Sequence, residues 1–346
     1  MLFFVIGLPG RFTGWCTAAT ASLVGRALGP TEVMNADTLG EISRALIRRE
    51  TTSAVVPSTA PGGRLCAALV ESGRPFLAPL DDPRAALVEL VHGGATVPEA
   101  VAAVASSCAA TLRYVSAPGA LRLQPEFENG DQTRLIAAIA AHLGFAIDET
   151  MARETVESLS GLAIGGERGD VGARLDQLSA DDRRLVDGAL LAFADLGADR
   201  EFAPIAWGRE LFFVGEARQQ RADQVIDLTG RARCLLHGPY VMLPPGQWSL
   251  TLALLCSREA LDHDFRLEVA TDRPLASAIV HPAREGPFEA GLEFAIDDSS
   301  DDPVVIRLST QRAAFDGMLT LVEASLRRRA TATSASTAPV LEGQSL

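Results

Sequence analysis

Short unbroken apolar runs alternate with stretches of helical spacing along the first part of this chain. Met1 to Ile6 is apolar throughout, as a strand covered on both faces is. Cys16 to Leu28 is rich in Ala, Leu and Val and stops at Gly29-Pro30, which predicts a helix. Thr31 to Met34, Thr51 to Val56, Arg74 to Leu80 and Leu121 to Gln124 predict further strands. Asp37 to Arg48, Arg64 to Glu71, Arg84 to Val91, Val97 to Ser107 and Asp131 to Leu143 predict helices between and after them, with Pro83 at a favoured helix start. Strands alternating with helices predict a parallel α/β sheet over residues 1–157.

The period then changes. Ser158 to Asp176 is rich in Gly and charge, as a connector is. Ser179-Ala180-Asp181-Asp182 reads as an acidic helix cap, followed by Leu185, Val186, Ala189, Leu190 and Phe193 on one face and a stop at Gly197. Residues 158–203 are thus expected to be a helical connector. From Pro204 the apolar runs shorten and turn residues recur. Leu211–Val214, Gln224–Leu228, Cys234–His237, Tyr240–Leu243, Trp248–Leu255, Phe265–Ala270, Ala276–Val280, Leu292–Ala295, Val304–Leu308 and Leu319–Leu326 all read as strands. Trp248-Ser249-Leu250-Thr251-Leu252 and Phe265-Arg266-Leu267-Glu268-Val269 alternate with period two. The expectation is a β-sandwich of jelly-roll type over 204–329. Residues 330–346, mostly Ala, Thr and Ser, are expected to be a disordered tail.

Composition narrows the functional classes. At 346 residues the chain has room for two domains, and 47% hydrophobic residues supply ample core. A formal net charge of −13 argues against nucleic-acid binding, and no basic block suits an anionic membrane surface. The first apolar run is too short for a membrane span or signal peptide, so a cytoplasmic protein is expected. Lysine is absent, as in proteins from GC-rich genomes, and this excludes a standard Walker A nucleotidase. Five scattered cysteines without a C-x-x-C spacing predict reduced thiols and no zinc site. The acidic loop Asp297, Asp298, Asp301 and Asp302 lacks EF-hand spacing, so no metal is expected. No His-Glu-x-x-His or Gly-x-Ser-x-Gly pattern supports metal or serine hydrolysis.

The segment Gly7-Leu8-Pro9-Gly10-Arg11-Phe12-Thr13-Gly14-Trp15 follows the first strand and opens a helix. Its backbone amides suit an anion, with Arg11 as counter-charge; its glycines suit tight packing equally well. The stretch resembles the opening of a sulfotransferase, a P-loop-like fold. Gly7, Leu8, Pro9, Thr13 and Trp15 match that pattern, while Gly10, Arg11, Phe12 and Gly14 depart from it. Phe76 to Ala85 resembles the family's Arg-Asp-Pro-Arg turn, with Asp81 in place of the arginine that grips the nucleotide 3′-phosphate. Leu121 to Asp148 resembles the family's last strand and helix. The resemblance implies 3′-phosphoadenosine 5′-phosphosulfate as cofactor if the site is active, held by Gly7, Pro9, Gly10, Arg11, Thr13, Gly14 and Trp15. His92 is the candidate general base, or else a helix C-terminal residue favoured by the dipole. Asp81 beside a 3′-phosphate would oppose binding by like-charge repulsion, which implies a degenerate site.

In the second half, Ile226 to Arg233, Gly238-Pro239-Tyr240-Val241-Met242-Leu243-Pro244-Pro245-Gly246-Gln247-Trp248 and Phe315-Asp316-Gly317 resemble a β-sandwich module attached to bacterial glycosyltransferases and polysaccharide proteins. The resemblance implies carbohydrate binding, with Arg231, Arg233, His237, Tyr240 and Trp248 as candidates. Arg231 and Arg233 are expected to share a strand face; Trp248 and Tyr240 also read as core. Three functions follow as expectations. The first is glycan or glycoconjugate recognition without catalysis in bacterial surface-polysaccharide production, with polysaccharide-synthesis proteins as partners. The second is a divergent sulfotransferase acting on a saccharide. The third is a structural or assembly scaffold.

Overall fold

The computed structural model describes residues 1–48, 51–162, 164, 168–194, 202–222, 224–297, 300 and 302–329. The tail expected over 330–346, Gly197, and the acidic-loop residues Asp298 and Asp301 lie outside the described residues.

The first half runs β1 (Leu2–Ile6), α1 (Arg11–Leu28), β2 (Thr31–Val33), α2 (Leu39–Arg48), β3 (Ser53–Ser58), α3 (Gly63–Ser72), β4 (Phe76–Pro79), α4 (Pro83–His92), α5 (Val97–Val115), β5 (Ala120–Leu123), α6 (Gln132–His142) and α7 (Glu149–Ser158). The five strands form one parallel sheet in the order β2-β3-β1-β4-β5. The central strand β1 is buried from Phe3 to Ile6, as its unbroken apolar run predicts. Helix starts carry the expected chemistry. Asp82 accepts from the Arg84 N–H ahead of Pro83, Asp131 accepts from Thr133 and Arg134, and Thr96 with Glu99 forms a capping box. Helix α1 begins at Arg11, not at Cys16. Phe12, Trp15, Cys16, Ala19 and Leu23 continue one buried helical face through Gly14, whose Cβ position meets open space.

Two helices, α8 (Arg168–Asp176) and α9 (Ala180–Leu190), lead into the second half. It contains β6 (Ile205–Gly208), β7 (Phe213–Val214), β8 (Ile226–Asp227), β9 (Cys234–Val241), β10 (Gly246–Cys256), β11 (Phe265–Ala270), β12 (Pro274–Val280), β13 (Gly286–Ile296), β14 (Val304–Thr310) and β15 (Met318–Arg329). Two antiparallel sheets face each other. One has the order β13-β10-β15-β6, with β8 also on β15; the other has the order β12-β11-β14-β9-β7. The fold is therefore an α/β parallel-sheet half joined to an all-β sandwich. Strand β9 is continuous where the pattern predicts two strands. β14 pairs with it through Gly238-Pro239, and two register shifts leave Leu235 and Tyr240 out of the ladder. β6 escaped the hydrophobic pattern because it has only four residues, paired to β15 on one side.

The halves share one apolar core. It runs from Leu87, Val101, Val104 and Cys108 through Leu185, Val186, Leu190 and Phe193 of α9 and its continuation, into Trp207, Phe212, Trp248, Phe265 and Leu321. Phe193, Phe202 and Trp248 stack edge to face at 5.3 and 5.6 Å along this seam. Trp248 is fully buried and its Nε1 donates to the Pro244 carbonyl at 3.0 Å. Trp248→Ala is expected to cost about 3–5 kcal/mol. Urea denaturation followed by near- and far-UV circular dichroism checks this, and both signals should move together.

Candidate functional site

Two places carry chemistry: the turn between β1 and α1, and the outer face of the second sandwich sheet. At the turn, Gly7 is required by packing. A Cβ there would sit 2.6 Å from Thr13 Oγ1 and 2.7 Å from the Pro79 carbonyl. Gly10 has extended backbone and caps α1 with no side-chain bond. Thr13 and Trp15 lie inside the core beneath the helix, at 4% and 1% exposure, with their polar atoms sealed from solvent.

The amide end of α1 already meets an anion of the chain itself. Glu89 on α4 lies beside the first turn of α1, with its Oε1 3.5 Å from Arg11 Nε. Asp81 stands beside it. A Cβ on Gly10 would be 3.6 Å from Glu89 Oε2 and 3.9 Å from Asp81 Oδ2. Burial pushes the Asp81 carboxyl up to about 6 against the Asp82 backbone bond that lowers it; Glu89, Asp82 and Glu126 add repulsion. Burial also raises Glu89, with Arg11 opposing. Three features therefore disfavour a phosphosulfate at this turn: a filled amide end, a cation already paired, and a second carboxylate alongside. The residues present do not fit a dianionic nucleotide.

Arg11 and His92 do come together. With Glu89, Val171 and Arg174 they line a cavity of about 180 Å³. His92 Nδ1 lies 3.2 Å from the Arg174 guanidinium, so this nitrogen accepts and is not free to take a substrate proton. His142, by contrast, ties β4 to the start of β5 through the Phe76 and Gly119 carbonyls at 3.2 and 3.0 Å.

In the sandwich, the register of five strands sets one row across the sheet: Ser277, Glu268, Arg307, His237 and Phe213. Alternation turns this row away from the inter-sheet core of Leu267, Ile306, Leu308 and Leu236, and Phe213 and Tyr240 cover His237 there, leaving it 3% exposed. Arg307 and Arg266 both pair with Glu268, at 3.1 and 3.2 Å. His237 lies flat on Phe213 with centroids 5.6 Å apart, and its Nδ1 is 2.8 Å from the Tyr240 hydroxyl. Tyr240 is the one non-glycine with positive φ among the described residues, at 63°. A residue held there stores strain of about 1–3 kcal/mol and needs surroundings that hold it. Cations supply those surroundings: the Arg218 guanidinium stacks on the Tyr240 ring at 3.3 Å, and Arg221 covers Phe213 at 4.3 Å. Burial, then Arg218 and Arg307, lower the His237 pKa, with an Ala217 backbone bond opposing.

Against this geometry stand the comparisons with known proteins. No family model and no curated protein matches the chain. Solved structures similar to parts of it include mouse sulfotransferase SULT7A1 complexed with PAP, at 12% identity over 53% of this chain and 79% of that one, with TM-score 0.39. A CBM36-1 domain of a multidomain xylanase from the hindgut metagenome of Trinervitermes trinervoides is 8% identical over 37% of this chain and all of that one, with TM-score 0.26. The xylan-binding module CBM15 is 10% identical over 38% of this chain and 99% of that one, with TM-score 0.27. Likeness at this level carries no inference about activity.

The expected sandwich residues separate into two groups. His237 and Tyr240 meet on the outer face. Trp248 does not join them, because β10 alternation points it between the sheets. Arg231 and Arg233 share no strand face: both precede β9 in a turn. Arg231 is exposed there, and Arg233 folds back to bond the Asp227 and Thr229 carbonyls at 2.6 and 2.7 Å, holding the turn. Sequence reading missed Phe213, Arg218, Arg221, Glu268 and Arg307. The alternation in Phe265–Val269 placed Glu268 outward, but nothing local set it opposite Arg307. All five cysteines are free thiols, no cluster of His, Cys, Asp and Glu among the described residues has metal-holding geometry, and no described helix is long and apolar enough to cross a membrane.

The Asp81 shift gives a pH test. Its folded value of about 6 lies above the ordinary 3.8, so the folded state keeps the proton longer. The cost of the buried charge is absent below the lower value, grows between the two, and is complete above the higher. Asp81→Asn is expected to raise stability by up to about 3 kcal/mol above about pH 7 and to change little near pH 4. Urea titrations at the two pH values check this.

Proposed function

We propose that this protein recognises a glycan or glycoconjugate through the outer face of its second sandwich sheet, without catalysis of its own. The observation that carries the reading is the row Glu268–Arg307–His237–Phe213 with Tyr240 and Arg218, where rings and hydrogen-bonding groups gather on a sheet face. A saccharide needs such a surface: many donors and acceptors for its hydroxyls, held rigidly enough to avoid an ordering cost on binding. The row is built on strands, and Tyr240 is fixed by His237 and Arg218 in a conformation it would not otherwise hold. The α/β half serves as scaffold in this reading. Its turn carries Glu89 and Asp81 where a nucleotide would need positive charge, and this argues against sulfuryl transfer from 3′-phosphoadenosine 5′-phosphosulfate. Surface-polysaccharide production in a bacterium is the setting we favour, with polysaccharide-synthesis proteins as partners.

A glycan array followed by titration calorimetry tests the reading. Tyr240→Ala and His237→Ala are expected to weaken binding at least about tenfold, a loss of about 1.4 kcal/mol or more. Arg231→Ala, off the face, should leave it unchanged. Binding that survives both face substitutions would sink the assignment of this face.

A thermal-shift titration with adenosine 3′,5′-bisphosphate tests the turn separately. A ligand at a hundredfold its Kd stabilises by about 2.7 kcal/mol. No shift is expected at millimolar ligand; a rise abolished by Arg11→Ala would favour a divergent sulfotransferase instead.

A further inference from the structure

The aromatic rings of this face are already covered. Arg218 occupies the face of Tyr240 at 3.3 Å, while His237 and Arg221 both lie against Phe213. A sugar cannot lay its apolar side on a ring whose face holds a guanidinium. Stacking does not consume a guanidinium's hydrogen bonds, however. Its five N–H donors lie in its own plane and remain available at the edge. The rings here orient arginine forks, and the forks are the recognition groups.

Those forks outnumber their local partners. Arg307 and Arg266 share the single carboxylate of Glu268. Arg221 interacts with Glu99 across the edge of the sheet. Arg218, exposed, stacks on Tyr240. Four guanidinium groups, those of Arg218, Arg221, Arg266 and Arg307, thus gather at this face of a chain whose net charge is −13. Burial first, and then Arg218 and Arg307, lower the His237 pKa, so both guanidinium groups lie near enough to act on this ring.

We infer that the ligand is an acidic saccharide, one whose sugar units carry carboxylates, and that Arg218 and Arg307 grip a carboxylate through their N–H forks. The inference rests on the glycan reading above and narrows it. A planar carboxylate matches a guanidinium edge with two parallel hydrogen bonds, which a neutral hydroxyl cannot do. Unlike charge also steers a polyanionic chain to this face, away from the acidic remainder of the surface.

The test uses the full-length protein and chemically matched pairs: oligogalacturonate, oligoglucuronate and oligomannuronate, each against its neutral methyl ester. Isothermal titration is run at low and high salt, with κ-carrageenan oligosaccharides, which carry sulfate and no carboxylate, as a sulfated arm. At least one acid form is expected to bind about tenfold or more tighter than its ester, with the preference shrinking as salt rises from about 0.05 to about 0.5 M. Arg218→Gln and Arg307→Gln, each with a melting temperature equal to that of the parent protein, should each remove most of that preference. Arg231→Gln should not. Equal binding of acid and ester would overturn the inference and leave the glycan reading standing. Binding of the sulfated arm alone would overturn the carboxylate assignment. No binding by any acid or neutral saccharide, here and on the array, would overturn the glycan reading and this inference with it.

Discussion

Burial of one helix, α5, holds the two halves together. Its Ala, Val and Cys face lies against α4 and the parallel sheet on one side and reaches α9 and the sandwich on the other. Small side chains let the surrounding elements approach closely, so the core continues from Val101 and Val104 to Trp207 and Trp248 without a polar layer between. The Ser106 hydroxyl on the same helix accepts the Met242 N–H at 3.1 Å, just past the end of β9. The strand carrying His237 and Tyr240 is thereby anchored at one end to the α/β half. The recognition face inherits its rigidity from this contact and from the ladder pairing across β7, β9 and β14.

Charge is distributed in opposite senses at the two places where chemistry gathers. At the β1–α1 turn the chain places Glu89 and Asp81 against the amide end of a helix, filling with its own carboxylate the position that an anionic ligand would take. On the sandwich face it collects arginines on aromatic rings. Glu89 and Arg11 neutralise each other, and the turn becomes a packing joint between β1, α1 and α4. The sandwich face retains unspent donors. This contrast is why we propose ligand binding at the β half, although the α/β half has the architecture more often associated with a ligand at its strand ends.

Legibility followed the range of the interactions involved. The apolar run Met1–Ile6, the glycine turn and the helix after it were readable because each depends on neighbours within a few residues. Alternation in Trp248–Leu252 declared a half-buried strand, and the same alternation meant that Trp248 pointed into the core and away from any sugar. Arg231 and Arg233 misled because spacing of two implies a shared face only if the segment is a strand. A turn intervenes there, fixed by Arg233 bonding back to carbonyls of residues 227 and 229. The Asp81 substitution was visible in the sequence, but its partner Glu89 was not marked, since helix α4 brings it to the turn only after folding.

The sequence alone thus determined the two-part architecture and the exclusion of a lysine-dependent phosphate site. These depend on composition and on local periodicity. Tertiary structure alone decided which charged residues face each other. Glu268, Arg307, His237 and Phe213 lie on four strands separated by up to 94 positions, and only the pairing register of β11, β14, β9 and β7 sets them in one row. Register is a property of long-range hydrogen bonding and of which face must be buried, and no local pattern encodes it.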